Sequence, residues 1–423
     1  MDTNSTKKAL RREATRRHLQ GERRCDICRD LKRSPSWFSK WWRQYRRNPH
    51  SDLADQSRAP HTSPQQLPPE VVQAVVNMRR TLEAAQTRDT RYGLIGHRAI
   101  QGRLIELKVQ PLPSLGSIQR ILQQQGLTHP LGAGQASAYY PWPVAWGVNA
   151  IQATDIITRY VRGGEAIENF HTIDHYSHAV YLSQYADQTS ATTRAHLLKS
   201  WAFLGLPSVH QFDNEGAFCG GHTHPRVIGQ VVRLCLFCGI EPFFTPVYEA
   251  RRNYQIETFH GVWVIGFWSR GEFRNLAHVQ TEAPTFQHWC YYHYRPPALD
   301  GQTPAQVRRG QPLRRLTADL RCLIPTGRLP ITAGRIHLLR KVNSAGYIDL
   351  LNERWQVGHR WVGEYVRATI NTSQQRLTFW HQADERADWR LLKTRVFRLK
   401  EPVHELLPAF RQNCARCREH WPD

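Results

Sequence analysis

The feature that most constrains the fold is a change of hydrophobic pattern between residues 148 and 297. Short β-rich runs alternate there with segments of helical periodicity, in the order βββαβαβα. The predicted strands cover 150–157, 166–174, 179–185, 209–212 and 242–245, and the predicted helices cover 189–205, 227–239 and 253–268. Because strands that alternate with helices form layered structures, this order predicts a mixed five-stranded sheet covered by helices.

Three acidic residues occupy defined places in this pattern. Asp155 lies within the first strand, Asp213 directly follows the fourth, and Glu257 stands early in the last helix. A carboxylate in apolar surroundings is costly, and three converging carboxylates repel one another unless a divalent cation balances them. Since the donors are hard oxygens, the set favours Mg²⁺ or Mn²⁺ over zinc.

Such an acidic set is typical of two-metal phosphodiester chemistry, in which one cation activates the attacking oxygen and the other stabilises the leaving oxygen. Asp155, at the centre of the sheet, is expected to bridge two ions, while Asp213 and Glu257 each hold one. Three acids in a chain of 423 residues do not establish such a site by their pattern alone.

Five segments add a family resemblance to this pattern. They are QATD ending at Asp155, HTIDHYSHAV, HQFDNEGAF, GIEPFFTPVYEARRNYQIETFHG and YHYRPPALDGQTPAQV. With them, residues 151–307 resemble the ribonuclease H-like catalytic core of retroviral integrases and bacterial insertion-sequence transposases, the Asp-Asp-Glu recombinases. The resemblance implies that Asp155, Asp213 and Glu257 are the catalytic and metal-binding residues. It also implies 3′-end hydrolysis and strand transfer into target DNA with two Mg²⁺ (or Mn²⁺) ions.

The sequence departs from this family in two places. Glu249 has the family's usual separation from Asp213, whereas 43 residues lie between Asp213 and Glu257. We prefer Glu257, because the family pattern aligns backwards from it without gaps and the extra residues then fall in CGGHTHPRVIG. Glu249 is then expected to be a solvated loop residue. Glu215 replaces the glycine of a common Asn-Gly pair, and we expect it only to tune the site.

The first sixty residues carry 16 Lys and Arg against 7 Asp and Glu and predict helices over 9–19, 24–31 and from 34 onwards. Ser34 can cap the third helix and Pro35 fits its first turn. Phe38, Trp41 and Tyr45 fall on one inward face, as in a helix-turn-helix recognition helix. The residues predicted to contact DNA on its other faces are Ser36, Ser39, Lys40, Arg43 and Arg46. A basic bundle that binds a protein is the alternative.

A second set of helices repeats this plan over 71–83, 97–107 and 114–125. Ser114 is the expected cap of the third, and its inward residues are Leu115, Ile118, Ile121 and Leu122. Ser117 and Arg120 are the predicted DNA contacts of this helix. Two helix-turn-helix units in tandem would read a longer site than one.

The C-terminal part loses helical periodicity, and short β-rich runs over 334–400 predict a small β-barrel. This part is similar to the C-terminal barrel of Mu-like transposases. The expected multidomain α+β organisation comprises helix-turn-helix domains 1–60 and 61–130, linker 131–147, catalytic core 148–300, linker 301–333, barrel 334–400 and tail 401–423.

The net charge of +22 and the pI near 10 favour a polyanionic partner, here double-stranded DNA at element ends and target sites. Because no run of 18 apolar residues occurs, no membrane segment is expected, and the predicted location is the bacterial cytoplasm in association with the nucleoid. Two element ends must be processed together, which favours a homo-oligomer on DNA. The sequence leaves open an ATPase helper.

Two other functions remain open. A non-catalytic DNA-binding regulator derived from a transposase would bind element ends without transferring strands. A metal nuclease would cleave ends without joining them. The intact acidic triad argues against the first, and the barrel with two recognition domains argues against the second.

Several further residues have a more ordinary interpretation. The pairs Cys25/Cys28 and Cys235/Cys238 have zinc-ligand spacing, yet they lie in predicted helices at core positions, and we expect small buried hydrophobes. The pair Cys414/Cys417 stays ambiguous. Asp174 is expected to order its strand rather than bind metal. His260 could contact DNA or could simply be a packed helix residue.

Overall fold

The computed structural model describes residues 3–55, 67–85, 87, 90–128, 139–141, 143–214, 218, 224–247, 249 and 253–411. Glu215 and the pair Cys414/Cys417 lie outside the described residues, as do residues 219–223 of the CGGHTHPRVIG segment. The chain divides into two compact units, Met1–Gln66 and Leu67–Asp423. Within the described parts of both units, no helix is long and apolar enough to span a bilayer.

The first unit contains three helices: α1 (Thr3–Leu19), α2 (Arg24–Asp30) and α3 (Pro35–Arg47). The helices α2 and α3 lie close to their predicted bounds, whereas α1 begins six residues before the predicted start at 9. The cap of α3 is formed as expected, since the Trp37 amide donates to Ser34 Oγ at 3.2 Å. Phe38 and Trp41 are buried, and Tyr45 is half-buried. The guanidinium of Arg11 on α1 lies 3.6 Å above the Trp41 ring, so the inward face of α3 is held partly by a cation–π contact.

The second unit begins with α4 (Pro69–Ala84), α5 (His97–Glu106) and α6 (Leu115–Gln124). Their shared core includes Ile100, Leu104, Ile118 and Leu122, and Ser114 caps α6 as predicted. The Arg270 side chain donates to the carbonyl oxygens of Arg91 at 2.8 Å and Gly93 at 2.7 Å, which ties this helical region to the remainder of the unit.

The central sheet follows the predicted strand order closely. Its first five strands are β1 (Ile151–Tyr160), β2 (Ala166–Asp174), β3 (Val180–Tyr185), β4 (Val209–Phe212) and β5 (Glu241–Phe244). They lie in the order β3-β2-β1-β4-β5, with β1, β2 and β3 antiparallel and β4 and β5 parallel to β1. The expectation of a mixed sheet is confirmed.

Helices cover both faces of this sheet. They are α7 (Ser190–Leu204), α8 (Gln230–Phe237), α9 (Tyr254–Gly266) and α10 (Leu276–Tyr292). Ala153 of β1 shares a hydrophobic cluster with Phe259 and Trp263 of α9, whereas Thr172 of β2 bonds to His196 of α7 on the opposite face. Side chains alternate along a strand, so Asp155 projects on the same face as Ala153, toward α9.

The sheet continues beyond the predicted five strands. After α11 (Pro304–Arg308), α12 (Ala318–Cys322) and β6 (Ile331–Thr332), β7 (Arg335–Lys341) pairs in parallel with β5. The following elements are β8 (Tyr347–Leu350), β9 (Glu353–Gln356), β10 (Tyr365–Asn371), β11 (Arg376–His381), β12 (Arg390–Val396) and β13 (Val403–His404). With β10, β11 and β12 added antiparallel, the sheet has nine strands, in the order β12-β11-β10-β7-β5-β4-β1-β2-β3.

This extension corrects the expectation of a five-stranded core sheet set apart from the C-terminal strands. The outer edge of β5 offers backbone groups that need partners, and β7 supplies them. One hydrophobic cluster contains Leu236 and Ile240 together with Ile336, Val366 and Phe379. The barrel predicted for 334–400 stays a prediction.

Two segments predicted as connections are packed on the core. In the expected linker 301–333, Arg308 and Leu329 are buried. In the expected tail 401–423, β13 pairs with β6, and the Phe410 ring lies 5.7 Å from that of Phe237. Each segment therefore contributes buried side chains to the core. The composition of these segments alone did not indicate this packing.

Candidate metal centre

Two of the three predicted acids come together with a histidine. Asp155 of β1 and Glu257 and His260 of α9 each offer one ligand atom, and these atoms lie within 4.8 Å of one another. Asp155 is 8% exposed, while the Glu257 side chain is 44% exposed and that of His260 is 9% exposed. The group is therefore open on the Glu257 side and closed on the His260 side.

The packing of α9 against the sheet determines which side of the helix faces Asp155. Ile256, Phe259 and Trp263 are buried against the sheet, so Glu257 and His260 lie on the flank of the helix that meets Asp155. At the start of the helix, Gln211 of β4 donates to the Asn253 side-chain oxygen at 2.8 Å. The helix is thus held at the strand that precedes Asp213.

The electrostatics of the group favour an ionised Glu257. The His260 imidazole, with Nδ1 at 3.8 Å from Glu257 Oε2, lowers the pKa of that carboxyl group despite partial desolvation. Asp155 Oδ1 accepts the Ile156 amide hydrogen at 2.9 Å, which orients its carboxylate. Two negative oxygens and an imidazole nitrogen within this distance fit the donors of a divalent cation.

Asp213 directly follows β4, the strand that neighbours β1. Strands β1 and β4 pair in parallel at Ile151↔Val209 and Ala153↔Gln211. Continuing this register by two residues sets Asp213 next to Asp155, on strands about 4.8 Å apart. The Asp213 carboxylate is nevertheless outside the group of three that the described residues form. Its role as a metal ligand stays a prediction.

The residue after Asp213 is held by an arginine that the sequence did not single out. Arg340 of β7 donates to the Asn214 side-chain oxygen at 2.7 Å and to the Thr245 carbonyl at 3.0 Å. An arginine in a β-rich run carries no signal for this role, because the contact spans 126 residues. The C-terminal strands thereby help to position Asn214, the residue that follows Asp213.

The rival acid Glu249 lies outside the group of three and is bonded to Tyr365 of β10. This contact differs from the solvated loop position expected for it.

Asp174 was predicted to order its strand, and its carboxylate is engaged by backbone amides and an arginine. Its buried carboxylate accepts the Asn149 amide at 2.9 Å, the Ser177 amide at 3.0 Å and Arg308 Nη1 at 3.1 Å. Burial raises the pKa of Asp174, and Arg308 opposes that rise. Arg308 directly follows the YHYRPPALDGQTPAQV segment, at the end of α11, and its bond to Asp174 connects this helix to the core.

The expectation of small buried residues holds for three of the four cysteines in the two described pairs and is wrong for Cys25. Cys28, Cys235 and Cys238 are buried and Cys25 is exposed. Burial raises the pKa of the Cys235 and Cys238 thiols, which disfavours the thiolate that zinc requires. Within the described ranges, the Asp155 group is the only cluster of three or more such donors.

The predicted DNA contacts lie mostly on the surface. Ser36, Lys40, Arg43, Arg46 and Arg120 are exposed, and Ser39 and Ser117 are half-buried. Ser39 Oγ accepts from Arg24 at 3.2 Å, and Ser117 donates its amide to the cap Ser114 at 3.2 Å. The α3 side chains are therefore placed where a ligand could reach them, while Ser117 also serves its own helix.

Comparison with solved structures finds limited likeness. Two structures of the HTLV-2 integrase catalytic core domain in complex with magnesium, one trimeric and one dimeric, are 17% identical with TM-scores of 0.30. They cover 39% of this chain and 99% and 100% of theirs. A cryoEM structure of the simian T-cell lymphotropic virus intasome in complex with the PP2A regulatory subunit B56 gamma is 15% identical, with a TM-score of 0.35. It covers 72% of this chain and 96% of that chain. No protein-family model and no curated protein matches the chain.

Proposed function

We propose that this chain is a DNA transposase of the integrase type. It would bind the terminal inverted repeats of a mobile element, hydrolyse the 3′ ends and join them to target DNA. Asp155, Glu257 and His260 together form what we call the donor group. The observation that carries the proposal is that Asp155 and Glu257, from distant parts of the sequence, meet in this group. Asp213 directly follows β4, whose parallel pairing with β1 extends to Gln211 opposite Ala153, and this supports its inclusion in the site.

The proposed roles follow from these positions. Asp155, Asp213 and Glu257 would hold two divalent cations, Mg²⁺ or Mn²⁺, with Asp155 shared by both and Asp213 and Glu257 each serving one. When bound, such a pair supplies Lewis-acid catalysis at a phosphodiester. The exposed flank of Glu257 leaves room for a DNA backbone, and the closed flank beside His260 keeps solvent away from the inner donors.

DNA binding is assigned to the two sets of helices. The net charge of +22 supplies a sequence-independent attraction for phosphates. Lys40, Arg43 and Arg46 on α3, with Arg120 on α6, are the exposed cations assigned to element ends. Because two ends must be joined in a concerted way, the active form is proposed to be a homo-oligomer on DNA at the bacterial nucleoid, with an ATPase helper as an optional partner.

The deciding experiment uses the purified full chain, DNA duplexes taken from the inverted repeats that flank its gene, and a supercoiled plasmid as target. With Mg²⁺ or Mn²⁺ we expect duplex ends covalently joined to the plasmid, and no joined product from Asp155→Asn, which should still bind the ends. Binding without any product would support the regulator instead. Cleaved ends without joined product would identify a nuclease.

A further inference from the structure

Among the buried histidines that the structure describes in this unit, His260 is the one that lies in a donor group with two acidic residues. It stands one turn after Glu257 on α9, and one of its ring nitrogens belongs to the donor group with Asp155. The 3.8 Å from its Nδ1 to Glu257 Oε2 is too long for a hydrogen bond. Within the described part of the chain, its buried Nε2 has no hydrogen-bond partner.

A histidine that merely packs inside a protein usually has its ring nitrogens satisfied. His196 is an example, since its two nitrogens lie 2.7 Å from Thr172 Oγ1 and 2.6 Å from Ser183 Oγ. His260 and the neighbouring His171, whose two ring nitrogens also lack a hydrogen-bond partner among the described residues, are held by ring contacts, with centroids 5.0 Å apart. His260 differs from His171 because it belongs to the group with Asp155 and Glu257. His171 stands opposite Asp155 in the β1–β2 pairing, so the same two strands position the acid and the support of the imidazole.

We propose that His260 is a direct ligand, through Nδ1, of the cation that Asp155 and Glu257 hold. The proposal rests on the proposed function and makes one of the two metal positions a mixed oxygen and nitrogen site. Two ligands of one cation lie at most about 4.2 Å apart, twice a metal–ligand bond of about 2.1 Å. The 4.8 Å spread of the three donors needs only small side-chain rotations to reach that geometry.

The imidazole has a consequence for metal choice. Magnesium prefers oxygen donors and keeps much of its water, whereas first-row transition metals accept imidazole readily. A site with two carboxylates and one imidazole therefore binds Mn²⁺ more tightly than Mg²⁺. His260 would be the residue that sets this preference.

The experiment measures coordination rather than activity. The full chain receives less than one equivalent of Mn²⁺, and pulsed electron paramagnetic resonance detects the ¹⁴N coupling of a directly bound imidazole. We expect this coupling in the wild type and its replacement by ¹⁵N coupling in protein grown on ¹⁵N-histidine. His260→Gln should abolish it and raise the Mn²⁺ dissociation constant about 10- to 100-fold. His288→Gln, an exposed histidine on α10, is the matched control and should retain both properties.

The outcomes separate the two proposals. One outcome is that the wild type binds Mn²⁺ without nitrogen coupling and that Asp155→Asn loses the binding. This result overturns the role of His260 as a ligand and leaves the proposed function standing. If the wild type does not bind Mn²⁺, or if Asp155→Asn binds it equally well, the proposed function and the role of His260 are both overturned. If His260→Gln fails to fold by circular dichroism, loss of the wild-type coupling in Asp155→Asn still places the nitrogen at this site.

Discussion

The hydroxyl group of Tyr365 donates to the carboxylate of Glu249, with both carboxylate oxygens 2.7 Å from the hydroxyl oxygen. Tyr365 belongs to β10, so a strand from the C-terminal part of the chain binds the acid that has the more usual spacing from Asp213. The Glu249 carboxylate bonds to Tyr365 and lies outside the donor group that Asp155, Glu257 and His260 form. This contact supports Glu257 as the metal-binding acid.

Substitution of the two rival acids should therefore have opposite results. Glu257→Gln removes a charge from the donor group, and we expect strand transfer to fall roughly 10⁴-fold or more. Glu249→Gln keeps the size of the side chain and can still accept from Tyr365, so activity should stay within about threefold of the wild type. Strand-transfer assays of both variants under identical conditions decide the assignment, and a dead Glu249→Gln with an active Glu257→Gln would reverse it.

The Asp174–Arg308 contact should be important for stability rather than catalysis. Both side chains are almost fully buried, so Arg308→Met leaves an unpaired buried carboxylate and should lower the free energy of unfolding by about 3–5 kcal/mol. The exposed pair Arg354–Asp349 provides the control. Arg354→Met should change the free energy of unfolding by less than about 0.5 kcal/mol. Urea denaturation measures both, and equal effects of the two variants would contradict the structural role of Asp174.

The buried His196 predicts a loss of stability in acid. Burial lowers the pKa of His196 to about 3, so below pH 6.5 the unfolded chain takes up a proton that the folded chain does not. Its contribution is complete above pH 6.5 and is lost as the pH falls toward 3, which amounts to about 2 kcal/mol at pH 5.

The measurement is the difference in unfolding free energy between pH 7.5 and pH 5 for the wild type and His196→Gln. The variant should show a smaller difference, by about 2 kcal/mol, because glutamine does not titrate. His288→Gln on the surface should keep the wild-type difference. An unchanged pH dependence in His196→Gln would mean that His196 is not kept neutral by burial.

The α3 cations should contribute to the salt dependence of DNA binding. Lys40→Ala and Arg43→Ala together should weaken binding to element-end duplexes and reduce the slope of log affinity against log salt by about 2, because each substitution removes one cation that neutralises a phosphate. Arg29→Ala, on the exposed part of α2, removes a similar charge and should change the slope by much less. Fluorescence anisotropy over a series of salt concentrations measures this, and identical slopes in all variants would remove α3 from the interface.

Much of the local structure was predictable from the sequence. The strands over 166–174 and 209–212 have the predicted bounds, and the Ser34 and Ser114 caps form where their residues predicted. These features depend on side-chain periodicity and on groups within a few residues of one another, so the sequence contains them directly. The pairing of Asp155 with Glu257 was predictable only through the family resemblance, since 101 residues lie between them.

The sequence by itself determined the order of strands and helices, the basic charge and the candidate acids. Tertiary structure alone decided that β7 extends the sheet beside β5, that Tyr365 binds Glu249, and that His260 joins the donor group while the Asp213 carboxylate lies outside it. The physical reason is that hydrophobic periodicity specifies which face of an element is buried. Which distant side chain meets that face depends on how complete elements pack, and no short segment encodes it.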